Sequence, residues 1–218
     1  MIVDVSETVT LLGGGEFRRQ DLEEALTLAP ILVAADGAAA GALAQGHVPV
    51  AVIGDMDSLE IAVKARLAPQ TLHAVGEQDS TDFEKCLREI RAPLILGVGF
   101  MGARLDHELA AYNALVRWPD RRCILIGPVD ICFHAPPELA LDLAPGSRVS
   151  LFPLAPTRGR SEGLRWPIGG LEFAPDGRIG TSNAATGPVR LWFEGAGMLV
   201  ILPRAALGAA MAGLRGGC

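Results

Sequence analysis

Two aspartates separated by a single residue, Asp55 and Asp57, close the apolar run "VAVIGDMDS". If the strand runs on into them, both side chains project to the same side. Two rises of roughly 3.3 Å then put their Cα atoms about 7 Å apart. Carboxylates held ~5 Å apart repel by about 3 kcal/mol at an effective dielectric of ~20, so such a pair calls for a cation. The same pattern recurs along the chain. "ILVAAD" ends at Asp36, "TLHAVGEQDSTD" leads to Asp79 and Asp82, and "LILGVGFMGARLDH" leads to Arg104 and Asp106. Carboxylate oxygens suit Mg²⁺, an ion that usually arrives with substrate phosphates. Arg104 adds an anion signal. A cation in the first turn of a helix opposes the macrodipole, unless an anion such as phosphate sits there.

Each group also has a plain structural reading. Asp36 can serve only to cap the following helix. "TDFE" is a capping box of Thr81 and Glu84, in which Asp82 favours the helix dipole. "GGGEF" is either a phosphate-cradling turn or a turn alone, and it is not a GxGxxG fingerprint. The histidines, His47, His73, His107 and His134, are too scattered to suggest a metal cluster.

The elements that must carry these groups follow from the hydrophobic pattern. The candidate strands are "TVTLL", "ILVAA", "VAVI", "TLHAV", "PLILGVG" and "RCILIG". Helical periods lie between them. Leu22, Ala25, Leu26 and Ala29 share one face, opened by a capping box of Asp21 and Glu24, and Leu105, Leu109, Tyr112 and Val116 share another. This alternation predicts a mostly parallel sheet flanked by helices. Ligands of such sheets bind beyond the carboxyl ends of the strands, which is where the acids fall. Past "HAPPEL", with Pro136 and Pro137 as a turn or linker, short strands alternate with glycines and prolines, and "PDGR" is a turn signal. The expectation is therefore an α/β domain over residues 1–135 and an all-β, sandwich- or barrel-like domain over 136–218.

The chain has 218 residues, half of them hydrophobic, and a formal net charge of −6. That balance, without a basic stripe, argues against a nucleic-acid partner. No apolar stretch approaches the ~20 residues that span a bilayer, so no membrane role is expected. The start, "MIVDVSETVT", lacks a basic n-region and does not read as a signal peptide. Cys86, Cys123, Cys132 and Cys218 form no metal-like spacing, and they read as reduced thiols of a cytoplasmic protein.

"ADGA", "GDMDS", "QDSTDFEKCL", "GARLDH", "VSLFPL", "GLRW" and "SN" stand in an order and spacing that resembles the thiamine pyrophosphokinases, from Gly13 to about Val200. The combination, rather than "GDMDS" alone, carries the resemblance. It implies a Rossmann-like N-terminal domain, a C-terminal β-sandwich, and a homodimer with thiamine in clefts between subunits. It also implies pyrophosphate transfer from ATP to the thiamine hydroxyl, with Mg²⁺ as cofactor. Asp55, Asp57 and Asp82 match the metal-binding acids. Asp36, Gly37, Asp79, Thr81 and Arg104 match the ATP side, and Asp106 an active-site acid. Trp166, Ser182, Asn183 and Gln78 match the thiamine side. For Trp166 the alternative is ordinary β-domain core, and for Ser182 and Asn183 an exposed turn. Two departures stand out, Ala38 and Ala103, where the family often has glycine. Other readings are a related diphosphokinase acting on a pterin or another alcohol, and a catalytically silent thiamine- or nucleotide-binding protein.

Overall fold

The computed structural model describes residues 1–216, so Cys218 lies outside the described residues. The chain divides into two compact units. One comprises Met1–Ala114 with Leu125–Pro128, and the other Leu115–Ile124 with the chain from Val129 on.

The elements of the first part run β1 (Val3–Asp4), β2 (Val9–Leu12), α1 (Arg19–Leu28), β3 (Ile31–Ala35), α2 (Ala38–Ala44), β4 (Ala51–Gly54), α3 (Ile61–Lys64), β5 (Leu72–Ala74), α4 (Asp82–Glu89), β6 (Ile90–Arg91), β7 (Ile95–Val98), α5 (Leu105–Arg117) and β8 (Cys123–Ile126). Each strand expected here from apolar runs is present. The order β7-β2-β3-β4-β5 is parallel throughout, with Leu12 opposite both Ala34 and Val98 and Ile53 opposite Ala35. Nearly every residue of β2, β3, β4 and β7 is buried. This explains why these strands read as continuous apolar runs and not as alternations.

Three local expectations are corrected. The strand carrying "VAVIG" does not continue into the aspartates. It ends at Gly54, and Met56 turns the chain with a φ of 67°. Helix α1 begins before Asp21. Asp21 is its third residue and accepts from the Arg18 backbone N–H at 2.9 Å, so it works as the far member of a capping box. In α5 the buried positions include Ala111, Ala114 and Leu115, whereas Leu105 and Leu109 are exposed. A stripe of small residues packs closely while carrying little hydropathy signal, so the larger leucines misled the periodicity.

The second part contains β9 (Asp130–His134), β10 (Glu138–Leu141), β11 (Arg148–Pro153), β12 (Thr157–Leu164), β13 (Glu172–Phe173), β14 (Gly180–Phe193), β15 (Met198–Pro203) and α6 (Leu207–Gly216). Its strands pair in antiparallel fashion in the order β13-β12-β14-β11-β15-β9. The fourteen-residue β14 is shared. Asn183 and Ala184 pair with β11, while Arg190, Leu191 and Trp192 have β10 on one side and β12 on the other. Ser182 and Asn183 therefore belong to a strand and not to a turn. "PDGR" does turn, with the Gly177 N–H bonded to Ala174 at 3.0 Å. The chain as a whole is a mixed α/β protein with a predominance of strand in its later part. Among the described residues no helix is long and apolar enough to cross a membrane.

Candidate active site

At the carboxyl ends of β2, β3, β4 and β7 the first unit holds a cavity of about 530 Å³. Its wall includes Gly37, Asp55, Gln78, Thr81, Asp82 and Arg104 of the expected residues, joined by Gly14, Gly15, Ser58, Lys85 and His107. Asp36, Asp57, Asp79 and Asp106 are not on that wall.

Backbone geometry explains why glycines are needed. A Cβ on Gly54 would lie 2.6 Å from the Asp36 Cβ and 3.2 Å from Asp82 Oδ1. Glycine there lets two acids close on the end of β4. A Cβ on Gly13 or Gly15 would come within 2.6 Å of the Gly99 carbonyl oxygen. The "GGGEF" segment thus packs backbone against backbone with the turn after β7, and Gly14 and Gly15 form part of the cavity wall. Asp36, Met56 and Ala103 adopt positive φ without being glycine. Each such residue costs on the order of 1–2 kcal/mol, and strain of this kind gathers at functional sites. Ala38, by contrast, lies in the regular α2 helix, where a methyl group is no hindrance.

The acids are held in different ways. Asp55 Oδ1 accepts the Asp57 N–H at 3.1 Å, a turn that leaves the Asp57 side chain exposed. That bond, supported by Lys85 and opposed by burial, lowers the Asp55 pKa below the ordinary carboxylate value. Asp36 is 1% exposed. Its Oδ2 accepts the Ser58 N–H at 3.1 Å, while its Oδ1 is buried without a hydrogen-bond partner. Burial raises the Asp36 pKa; the Ser58 amide opposes this, and the charges of Asp82 and Asp55 add to it. Asp82 opens α4 behind its N-cap Thr81, whose Oγ1 accepts the Glu84 N–H at 3.3 Å, so the expected cap forms.

Two side chains that organise this region were missed in the sequence. Lys85 is 2% exposed, and its Nζ lies 3.2 Å from Asp82 Oδ1 and 3.5 Å from Asp55 Oδ2. Burial works against its charge, but Asp82 and then Asp55 hold its pKa above the usual lysine value. The signal was the Asp82–Lys85 spacing of three, one helix face, hidden in an apparent capping box. Glu77 accepts from the Asp79 N–H at 2.9 Å, from Arg88 Nη2 at 2.8 Å and from the Ser80 hydroxyl. It ties the loop that carries Gln78 and Thr81 to the body of α4.

Arg104 stands beside the cavity and is held by Asp106, with contacts of 3.2 and 2.6 Å from Nε and Nη2. Hydrogen bonding to Arg104 lowers the Asp106 pKa. Both side chains are exposed, so the pair is held in solvent at the edge of the site.

Among the described residues, no three His, Cys, Asp or Glu side chains are arranged to hold a metal ion by themselves. Asp55 and Asp82, with the orphaned Asp36 oxygen beside them, still offer the oxygen donors that Mg²⁺ prefers. They suit an ion that completes its shell with phosphate oxygens and water.

The second unit brings the other expected residues together. Trp166, Ser182 and Asn183 line a smaller cavity of about 310 Å³. Trp166 is 55% exposed and so is not core. Buried Asn183 grips its backbone, donating to the Trp166 carbonyl at 2.7 Å and accepting its N–H at 3.2 Å. The Arg165 guanidinium lies 5.0 Å from the indole centroid. Ser182 holds a φ of 62°, with its N–H bonded to Ser150 Oγ at 3.0 Å.

Comparison with known proteins agrees with this layout. Residues 22–126 match the family model described as "Thiamin pyrophosphokinase, catalytic domain". "Thiamine pyrophosphokinase 1" of Arabidopsis thaliana is 29% identical over 163 residues, covering 65% of this chain and 60% of that protein. "Thiamine pyrophosphokinase 1" of Oryza sativa subsp. japonica is 30% identical over 154 residues, covering 62% and 58%. The chain thus spans about 60% of the length of the curated relatives it matches. Among solved structures, a thiamin pyrophosphokinase from Geobacillus thermodenitrificans superposes with a TM-score of 0.73 at 22% identity, covering 93% of this chain and 99% of that one. The yeast enzyme gives 0.75 at 17% identity, covering 94% and 89%. At these identities the solved structures establish the fold alone. Over residues 22–126, the chain is similar to the catalytic domain of the thiamin pyrophosphokinases.

Proposed function

We propose that this protein is a thiamine diphosphokinase, transferring pyrophosphate from ATP to the hydroxyl of thiamine to give thiamine diphosphate and AMP. The observation that carries the reading is the cavity where Asp55, Asp82, Thr81 and Arg104 meet a glycine-lined wall, within a segment matching the family's catalytic domain.

In this reading residues 1–135 form a Rossmann-like nucleotide-binding domain and residues 136–218 a sandwich-like thiamine-binding domain. Parallel pairing in the first unit and antiparallel pairing in the second support it. The thiamine hydroxyl attacks the β-phosphorus and AMP leaves, so the protein's tasks are in-line positioning and neutralisation of developing charge. Arg104 leaves Asp106 to take phosphate oxygens in a bidentate grip. Thr81, Gly37, Asp36 and Asp79 serve the ATP side. Mg²⁺ brought with ATP offsets phosphate charge, and Asp55 and Asp82, with Asp57 beside them, would hold it. Trp166 offers an aromatic face to the cationic thiazolium, steadied by Asn183, with Ser182 as a polar contact. Gln78, on the wall of the first unit's cavity, is assigned to the thiamine side by the resemblance alone. Arg165 already stands near the ring, so the cationic ligand takes the face away from it. The resemblance adds a homodimer with substrate clefts between subunits. It also adds a cytoplasmic location.

The test is AMP release by the purified protein with Mg²⁺, ATP and thiamine, run against pterin alcohols and a thiamine-free control. AMP formation that depends on thiamine is expected. Release driven by another alcohol, or none despite thiamine binding, would overturn the assignment in favour of a related diphosphokinase or a silent binder.

A further inference from the structure

Lys85 is an unusual occupant for the floor of an acidic cavity. It is among the largest fully buried side chains of the described residues, and its ammonium lies within 3.5 Å of one oxygen each of Asp55 and Asp82. Taking a lysine out of water costs several kcal/mol and is tolerated only beside opposite charge. The two carboxylates repay that cost, and in return one positive charge already stands against both of the acids that would hold a metal ion. No third side chain completes a cage around that point among the described residues.

We infer that Lys85 is a positioning residue that acts as a built-in counter-ion. It keeps Asp55 and Asp82 together before nucleotide arrives and blocks them from capturing a divalent cation unaided, so that the metal enters only with the nucleotide phosphates. The inference rests on the reading of this cavity as a metal-nucleotide site. Free Mg²⁺ approaching the pair meets a fixed cation a few Å away. An arriving nucleotide supplies the negative charge and oxygen ligands that outweigh it. The carboxylates are thereby preorganised without being saturated.

The experiment is a titration of the full-length protein with Mn²⁺ alone, read by electron paramagnetic resonance of the free ion, with no nucleotide or thiamine present. Wild-type protein should bind Mn²⁺ only in the millimolar range. Lys85→Met, or the milder Lys85→Gln if the first does not fold, should bind it at least about tenfold more tightly, because a unit charge a few Å from a divalent ion outweighs thermal energy even at an effective dielectric of ~20. Lys85→Arg should restore weak binding. A purely structural lysine would weaken metal binding, or leave it unchanged, when removed. Either result in a folded variant overturns the inference, and so does micromolar Mn²⁺ binding by the wild-type protein. No turnover is measured here. Failure of this pattern leaves the proposed activity standing, and failure of thiamine-dependent AMP release leaves this inference standing.

Discussion

The two cavities are shaped by opposite means, and under the proposed function each would hold a polar ligand. Around Asp55 and Asp82 the geometry is set by charge: a buried lysine, a carboxyl group with an orphaned oxygen, and acids brought together by a glycine where no Cβ fits. Around Trp166 it is set by neutral hydrogen bonds, with a buried amide clamping the backbone on either side of an exposed indole. The difference teaches where each site is vulnerable. A charge cluster depends on its count, so losing one member unbalances the rest. The aromatic site depends on one face, and its scaffold survives loss of the ring.

The largest effect is expected from the charged cavity. Asp82→Asn is nearly isosteric but removes the partner nearest to Lys85. Turnover should fall by about 100-fold or more, as when one preorganised electrostatic contact is lost, with the circular dichroism spectrum unchanged. The same change at exposed Asp57 should cost less. Equal losses at both positions would break the view that charge count inside the cavity governs activity.

Next comes Trp166→Ala. A ring contact is worth about 1–3 kcal/mol by analogy with base stacking, so thiamine Kd should rise roughly 10- to 100-fold in calorimetry, with ATP affinity little changed. Because the indole is half-exposed, the melting temperature should stay near that of the wild type. A core tryptophan would instead cost about 3–5 kcal/mol of stability, and a drop of that size would erase the contrast between the two cavities.

A pH series sharpens the electrostatic half. Asp36 has a folded pKa above its unfolded one. Between those values the native state holds more protons than the unfolded state. Its contribution is therefore most favourable below the ordinary carboxylate value and is lost as pH rises through the folded value. Asp36→Asn keeps an acceptor for the Ser58 N–H and removes the titration. In metal-free buffer, the variant's melting temperature should gain on that of the wild type as pH rises from about 4 upward. A difference independent of pH would mean that Asp36 carries no buried charge.

The smallest expected change is at Ala103, where φ is 64°. Ala103→Gly relieves the left-handed strain but adds backbone freedom to the unfolded chain. A net gain of less than about 1 kcal/mol in denaturant unfolding is expected. A loss of stability would show that the methyl group makes contacts worth more than the strain.

Much of this was legible before any coordinates. Continuous apolar runs identified the parallel strands, because strands covered on both faces need no polar alternation. The acids after those runs pointed to the sheet edge where ligands collect, and Thr81 announced its helix by local capping chemistry. Local rules failed where long-range packing decided. Continuing β4 into Asp55 and Asp57 required an extended residue at Met56, which is left-handed. Leu105 and Leu109 look like a core face but stand in solvent, and Asn183 looks like a turn residue but is buried in a shared strand.

What the sequence determined by itself is the inventory: which strands exist, which acids follow them, and the family whose catalytic domain they match. Only the tertiary structure decided which of those acids meet. Asp36, Asp55 and Asp82 lie as far as 46 residues apart in the chain, and they converge because β3 pairs with β4 in a fixed register and Gly54 admits α4. The role of Lys85 is decided there too. In the sequence it is one more charge on a helix. It becomes the counter-ion of the cavity only when two aspartates from different elements close around it.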